Sequence, residues 1–133
     1  MSIKTEIVIQ DSCTLFDLVD LKLLGLFFQL DLVVYTTAQV TAEITDEDQW
    51  KEISVFIENK NLEIDNDGDL QAILELSEDN IGLSLVDCSV IEVAIRKKAT
   101  VLSSDSSLRN VSKAKGLKVH GILWIVEQLY EMK

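Results

Sequence analysis

Short runs of apolar and β-branched residues alternate along the chain with longer segments whose apolar positions recur every three or four residues. Five of these runs have the length and composition of buried strands. They lie at residues 6–10, 32–35, 61–64, 99–102 and 117–120. Because helical patterns separate the runs, we expect parallel strands with helices on both faces. The predicted fold is α/β, with three α/β/α layers around a mainly parallel central sheet.

Local signals predict where several helices begin and end. Gly25 is expected to break the first helix, Thr36-Thr37 to cap the next, and Thr45 to start the following one through a Thr-x-x-Asp capping box. The acidic stretch 65–69 has its glycine at the wrong position for a calcium loop, so it is predicted to be a turn that caps a helix.

The segment 84–121 carries two acids at informative positions. A helix is predicted from Ser84 to Lys98, with a solvent-facing stripe formed by Ser89, Glu92 and Arg96. Asp87 then falls on the opposite, inner face together with Ser84. A carboxylate on an inner face is costly unless it is compensated. The alternative is that Asp87 caps the helix.

Two further acids follow predicted strands. Asp11 comes directly after the first strand, and Asp105 lies just beyond the strand at 99–102. Ligands of α/β sheets bind outside the carboxyl ends of the strands, so both acids are suitably placed for a site. Helix capping is again the alternative for Asp105.

With Glu43 on a helix, these acids form a candidate quartet: Asp11, Glu43, Asp87 and Asp105. If they converge, their mutual repulsion calls for a hard divalent cation such as Mg²⁺ or Mn²⁺. Spacing alone leaves the convergence open. The sequence contains no phosphate-binding glycine loop, and its one histidine, His120, is expected at the surface end of a strand. A histidine-based triad or a zinc site is therefore poorly supported.

The net charge of −11 is distributed unevenly. From Glu43 to Asp79 there are thirteen acids against two lysines, whereas from Arg96 to Lys118 there are seven bases against one acid. A nucleic-acid partner needs cationic contacts to its phosphates. Only the second block offers them in quantity.

At 133 residues the chain has the length of one domain, and it contains no proline, repeat or low-complexity linker. We therefore predict a single domain over residues 1–133. The N-terminus enters the first strand without the apolar segment of a signal peptide, and the apolar run Leu23–Phe28 is too short to span a bilayer. Cys13 and Cys88 lack metal-ligand spacing and are expected to be small buried residues in a reducing cytoplasm.

Four stretches together resemble the PIN-domain family of small metal-dependent ribonucleases, which includes the VapC-like toxins of bacterial toxin–antitoxin pairs. They are IVIQDSCTLFDL, VTAEI, LSLVDCSVIEVAIRKKATVLSSDSSLR and GLKVHGILWIVEQL, and they span nearly the whole chain. Many relatives carry Thr-x-Asp before the last acid, where this chain has Ser103-Ser104-Asp105. The acidic block is also unusual for a nuclease.

The resemblance implies an Mg²⁺- or Mn²⁺-dependent endoribonuclease that cleaves single-stranded RNA, with the four acids as catalytic metal ligands. It implies supporting polar roles for Ser12, Ser84 and Ser104. The basic block suggests weaker RNA contacts from Lys98, Arg109 and Lys113. Partners implied are an antitoxin protein and a second copy of the chain, and the run Leu23–Phe28 with Leu30 is the predicted dimer surface.

Two other classes of function compete with this hypothesis. A non-catalytic PIN-like module would keep the fold and act through protein contacts. A phosphoacceptor receiver domain fits less well, because it needs paired acids after the first strand and a lysine after a late one, and the sequence has neither.

Overall fold

The computed structural model describes residues 6–132, and over this range the chain forms five strands and eight helices. The strands are β1 (Glu6–Gln10), β2 (Leu32–Thr37), β3 (Leu62–Asp65), β4 (Thr100–Leu102) and β5 (Val119–His120). The helices are α1 (Ser12–Asp20), α2 (Leu24–Phe27), α3 (Ala38–Ala42), α4 (Glu47–Glu58), α5 (Leu70–Asp79), α6 (Leu85–Lys97), α7 (Ser106–Ala114) and α8 (Ile122–Glu131). All five predicted strands are present, with ends that differ by a few residues. Residues 1–5, to which the prediction about a signal peptide refers, lie outside the described range.

The five strands form one parallel sheet in the order β3-β2-β1-β4-β5. The chain builds outward from β1 to β2 and β3, and then returns to add β4 and β5 on the other side. The strand order therefore reverses between β1 and β4. Ligand sites of open α/β sheets lie at such a reversal, outside the carboxyl ends of the strands.

Apolar side chains from alternate strand positions build a core on each face of the sheet. Ile9 and Val101 belong to the cluster that packs against α3, α5, α6 and α7, whereas Val8 and Leu102 belong to the cluster under α1, α2, α4 and α8. Burial of both faces explains why the strands read as continuous apolar runs. The three-layer α/β/α prediction is confirmed.

The predicted solvent-facing stripe of α6 is wrong. Ser89 is 1% exposed and Glu92 is 6% exposed. The helix contacts β1, β2 and β4 on one side and α5 on another, so most of its circumference is covered. Glu92 tolerates burial because Arg96 and Asp65 form an ion network with it, in which the Arg96 guanidinium bridges the two carboxylates.

Of three predicted helix signals, the structure confirms the one at Thr37 and differs at Thr45 and Gly25. Thr37 does cap α3, with its hydroxyl accepting the amide of Val40. Asp46 caps α4 rather than Thr45, because its carboxylate accepts the amide of Gln49. Gly25 lies inside α2, and the chain instead turns at Lys22, whose φ of 60° ends the preceding helix.

The acidic turn is as predicted. Asp65 accepts the amide of Asp67, and Asp69 caps α5 by accepting the amide of Ala72.

The apolar run Leu23–Phe28 is largely used inside the chain. Leu24 and Phe27 are buried, and Phe28 stacks on Phe56 at 4.7 Å between ring centroids. Leu26 remains 44% exposed. The run therefore contributes to the core under α1, α2 and α4, which removes much of the reason for assigning it to a dimer surface. Across residues 6–132, every helix is too short or too polar to cross a membrane.

Candidate active site

Asp11 is a buried carboxylate at the centre of the sheet's carboxyl edge. It follows β1 directly, caps α1 and is only 3% exposed. Its Oδ1 accepts the amide of Ser12 at 2.8 Å, and its Oδ2 accepts the Ser103 hydroxyl at 2.8 Å and the Cys13 thiol at 3.1 Å. All three donors are uncharged, so its side-chain hydrogen bonds orient the carboxylate without neutralising it.

Strand register brings Ser103 to Asp11. Gln10 pairs with Leu102, and the amide of Asp11 donates to the Leu102 carbonyl at 3.1 Å, so the residues that follow the two strands lie side by side. Ser103 is fully buried, and its hydroxyl oxygen also accepts the amide of Asp105 at 3.1 Å. One serine thus connects the acid after β1 with the acid after β4.

Asp105 is exposed and caps α7, with its Oδ2 accepting the amide of Leu108 at 2.9 Å. The capping alternative therefore describes what Asp105 does in the structure. Capping uses one of the two carboxylate oxygens of an N-cap acid and leaves the other available to solvent or a ligand. Capping and a role at the carboxyl edge are therefore compatible.

Asp87 lies at the third position of α6 and forms a capping box with Ser84. Its Oδ2 accepts the Ser84 amide and its own amide donates to the Ser84 hydroxyl, both at 3.1 Å. The side chain is half-buried. The N-cap of α6 is therefore Ser84 rather than Asp87, which takes part in the cap from the third helical position. The negative charge of Asp87 also acts on the ionisation of Asp11.

The electrostatics of Asp11 reflect this placement. Burial raises the pKa of the Asp11 carboxyl above its usual range, the hydrogen bonds from Cys13, Ser103 and Ser12 partly offset the rise, and the negative charge of Asp87 adds to it. Burial also raises the pKa of the Cys13 thiol, and the Asp11 carboxylate contributes to that rise. A nearby cation would favour the charged form of the Asp11 carboxyl.

Glu43 is the fourth acid of the candidate quartet. It is the exposed C-cap of α3, and the structure gives it no hydrogen bond to Asp11, Asp87 or Asp105. Within residues 6–132 no three His, Cys, Asp or Glu side chains gather tightly enough to hold a metal ion. The structure therefore relates Asp11 to Asp87 and Asp105, and leaves the quartet open.

The predicted supporting residues occupy different places. Ser12 offers its amide to Asp11, Ser84 caps α6, and Ser104 is exposed beside Asp105. Arg109 lies in the first turn of α7, where its Nη1 donates to the Ser103 carbonyl at 3.0 Å.

Gly121 leaves room for the Arg109 guanidinium, because a Cβ at this position would lie 2.8 Å from that nitrogen. Of the three residues predicted to contact RNA, Arg109 therefore lies at the carboxyl edge of the sheet. Lys98 follows α6 just before β4, and Lys113 lies in the last turn of α7, so both lie at the amino edge.

His120 ends β5, as predicted, and is half-buried rather than fully at the surface. Its ring stacks on Trp124 at 4.1 Å between centroids. Burial lowers the pKa of His120, and the nearby Glu6 carboxylate partly offsets that shift.

Two groups at the site escaped the sequence analysis. In the sequence Ser103 is identified only as a hydroxyl within Ser103-Ser104-Asp105 and has no predicted role at the site, although it follows β4 as Asp11 follows β1. That equivalence in a parallel sheet was the available signal. Cys13 was expected to be simply buried, but it is half-buried and donates to Asp11, whereas Cys88 is fully buried as expected. Both cysteines are free.

The donor set at the carboxyl edge is chemically suited to a hard divalent cation. Asp11 and Asp87 supply carboxylate oxygens, and uncharged hydrogen-bond donors hold Asp11. Ser103 is one of these donors, and its hydroxyl oxygen accepts the backbone amide of Asp105. Mg²⁺ and Mn²⁺ prefer such oxygen ligands and complete their coordination with water. A site that relies on two carboxylates is therefore compatible with these ions.

A family model described as a PIN domain matches residues 7–133. The chain belongs to the PIN-domain family, which is the family that the sequence motifs indicated. None of the curated proteins matches it.

Solved structures show the same fold at low sequence identity. PAE2754 from Pyrobaculum aerophilum is 15% identical with a TM-score of 0.65, and the match covers 97% of this chain and 99% of that one. VapBC2 from Rickettsia felis, solved bound to a DNA fragment from its promoter, is 14% identical with a TM-score of 0.62 over 86% of this chain and 98% of that chain. FitAcB from Neisseria gonorrhoeae is 12% identical with a TM-score of 0.53 over 87% and 98% of the two chains. At these identities the likeness concerns the fold.

Proposed function

We propose that the protein is an Mg²⁺- or Mn²⁺-dependent endoribonuclease that hydrolyses phosphodiester bonds of single-stranded RNA. The observation that carries the proposal is the state of Asp11, a buried carboxylate at the strand-order reversal whose hydrogen-bond donors are all uncharged. Its pKa is raised by burial and by a second acid, Asp87. A buried carboxylate without a cationic partner is costly, and groups with such perturbed pKa values cluster at functional sites.

In this proposal Asp11 and Asp87 hold the ion, with Asp105 and Glu43 as the further acids that the family resemblance implies. A bound divalent cation supplies an activated water and stabilises the leaving oxygen. The chain's own contribution is orientation. Ser103 and the Ser12 amide fix the Asp11 carboxylate, and Ser103 ties the backbone of Asp105 to the same point. Arg109 is available to contact a phosphate of the substrate.

Metal binding and catalysis are tested together with Asp11→Asn. Asn keeps the shape of Asp but removes the buried negative charge, so the apo protein should be equally stable or more stable. Titration with Mn²⁺ or Mg²⁺ should raise the melting temperature of the wild type, since a ligand that binds only the native state stabilises it. The variant should lose that rise and should cleave single-stranded RNA slower by orders of magnitude.

A second pair of variants separates catalysis from helix capping. Asp105 and Asp46 both cap helices by accepting the amide three residues on. Asp105→Asn should impair cleavage with little change in stability, because Asn caps about as well as Asp. Asp46→Asn is the matched control and should leave cleavage unchanged. Equal cleavage by wild type, Asp11→Asn and Asp105→Asn would assign the activity to a contaminant and refute the proposal.

The second candidate function is a non-catalytic PIN-like interaction module. The exposed position of Glu43 and the lack of a three-ligand group over residues 6–132 favour it. Such a module should show no change of melting temperature with millimolar metal and no cleavage in any variant.

We further propose that the protein works in the cytoplasm as the toxin of a toxin–antitoxin pair and associates with itself. Two structures with this fold are VapBC2 and FitAcB. A neighbouring short gene for a DNA-binding protein, whose product co-purifies with this chain and inhibits its cleavage of RNA, is the expected finding. Self-association is tested by sedimentation at tens of micromolar protein, where a strict monomer would refute the dimer.

A further inference from the structure

A groove lies at the amino edge of the sheet, opposite Asp11. It has a volume of about 640 Å³. Three lysines line it, together with an apolar floor and one acid. The lining includes Lys98, Lys115, Lys118, Glu6, Ile95 and Leu117. We refer to it as the amino-edge groove.

The path of the chain explains why three lysines meet there. Lys98 follows α6 in the left-handed conformation, with a φ of 54°, and leads into β4. Lys118 leads into β5 and its carbonyl accepts the amide of Val101, which places it at the start of the neighbouring strand. Lys115 ends α7, which begins at the carboxyl edge and runs back to the amino edge. Three separate segments therefore deliver one lysine each.

The charge of the amino-edge groove is strongly positive for this protein. All three lysines are exposed. The single acid, Glu6, is engaged by the Thr100 hydroxyl at 2.6 Å, and the His120 imidazole lies 3.9 Å from the same carboxylate oxygen. The chain as a whole carries a net charge of −11. The three lysines therefore give this groove a positive balance that the chain as a whole does not have.

We propose that the amino-edge groove binds the phosphate backbone of single-stranded RNA at a distance from the acidic edge. This inference rests on the proposed RNA substrate and adds a second, separate contact region. Lysines act as flexible point charges, so the groove would bind phosphates without selecting bases. The apolar floor of Ile95 and Leu117 can cover ribose and base surfaces.

The groove and the acids are separated by the length of the sheet. Glu6 and Asp11 mark its two ends, five residues apart, which corresponds to about 17 Å at about 3.3 Å per residue. A stacked strand advances about 3.4 Å per phosphate, so an RNA with stacked bases needs more than about five nucleotides to touch both edges. Cleavage of longer RNA should thus depend on the groove, and cleavage of a four-nucleotide substrate should not.

The test compares two triple variants with the same change of charge. The first is Lys98→Gln with Lys115→Gln and Lys118→Gln. The matched control is Lys22→Gln with Lys51→Gln and Lys60→Gln, which are exposed lysines outside the groove, two of them also at positive φ. Binding of a fluorescent 20-nucleotide RNA of mixed sequence is measured by anisotropy in EDTA, so that cleavage does not contribute.

The groove variant should bind about tenfold to a hundredfold more weakly than wild type at about 0.1 M salt, and its slope of log K against log salt should be shallower by about 2. The control should lose little of either. Equal losses in both variants would mean that only total charge matters, and no loss in the groove variant would exclude RNA from the groove. Either result overturns the inference.

Two further measurements identify the ligand and separate this inference from the nuclease proposal. If a 20-residue polyglutamate binds with the same dependence on the three lysines and displaces the RNA, the groove serves an acidic protein segment and the inference fails. If RNA binding in EDTA depends on the three lysines but no cleavage occurs when Mn²⁺ or Mg²⁺ is supplied, the groove is supported and the nuclease is refuted. In an active enzyme, the groove variant should raise KM for the 20-nucleotide RNA and leave kcat/KM for the four-nucleotide RNA unchanged.

Discussion

Replacement of Arg96 by methionine tests how much of the fold depends on one buried ion network. The Arg96 guanidinium makes a two-pronged contact with Asp65, at 2.7 and 3.1 Å, and two more bonds to Glu92 at 3.0 and 3.1 Å. The Asp65 and Glu92 side chains are 3% and 6% exposed. Removing the arginine leaves both carboxylates buried without their principal cation.

The expected cost follows from that burial. Breaking a buried ion pair by removing one partner costs about 3–5 kcal/mol. Lys97 still lies 3.5 Å from Asp65, and the Arg96 side chain is itself 32% exposed, so the lower end of the range applies. A loss of about 3 kcal/mol, with a slope of about 2 kcal/mol per molar urea, moves the unfolding midpoint down by about 1.5 M.

Urea unfolding followed by tryptophan fluorescence and circular dichroism measures the shift. Lys51→Met is the matched control, since Lys51 is an exposed cation on α4 and its loss should change stability by about 0.5 kcal/mol or less. The triple variant Arg96→Met, Asp65→Asn and Glu92→Gln should recover much of the loss, because no buried charge is then left unpaired. If Arg96→Met costs no more than Lys51→Met, the network does not stabilise the fold.

The same network predicts a pH dependence. Arg96 holds the pKa of the Asp65 carboxyl below its usual range through its hydrogen bonds. A depressed folded-state pKa contributes stability above the unfolded pKa of about 3.9, and that contribution disappears as the pH falls through the folded value. The stability difference between wild type and Asp65→Asn should therefore be constant near neutral pH and shrink below about pH 4. A difference that grows on acidification would contradict this sign.

Two local predictions complete the set. Ser103→Ala removes a buried donor to the Asp11 carboxylate and should lower the free energy of unfolding, measured thermally, by about 2 kcal/mol. Ser104→Ala, at an exposed hydroxyl, should lower it by less than about 0.5 kcal/mol. Equal losses would mean that the bond from Ser103 to Asp11 does not stabilise the fold. Gly116 has a φ of 82°, so Gly116→Ala should destabilise the protein by about 1 kcal/mol or more, while Gly82→Ala, where a Cβ meets nothing within 4 Å, should be neutral or slightly stabilising. The same stability for both alanine variants would contradict the strain argument.

The sequence by itself determined the elements and their general arrangement. Each buried strand appears as a short apolar run because both faces of the sheet are covered, and residues such as Thr37 and Asp69 mark helix starts through hydrogen bonds that span only three residues. Since strands alternated with helices, a parallel sheet followed, and the acids after two of the strands could be assigned to one edge. These features depend on interactions between near neighbours in the chain.

Only the tertiary structure decided which side chains meet. Ser103 reaches Asp11 because β4 pairs with β1 in one particular register, across 92 residues of sequence. The helical period predicted Ser89 and Glu92 on a solvent-facing stripe, but α5 and the sheet cover them. The burial of Glu92 is tolerated because the Arg96 guanidinium bonds to both Glu92 and Asp65. Lys98 and Lys115 are close in sequence to Asp87 and Asp105 but lie at the amino edge of the sheet. The helices α6 and α7 run between these acids and the two lysines. Periodicity describes one element at a time, whereas these contacts depend on how elements distant in sequence pack.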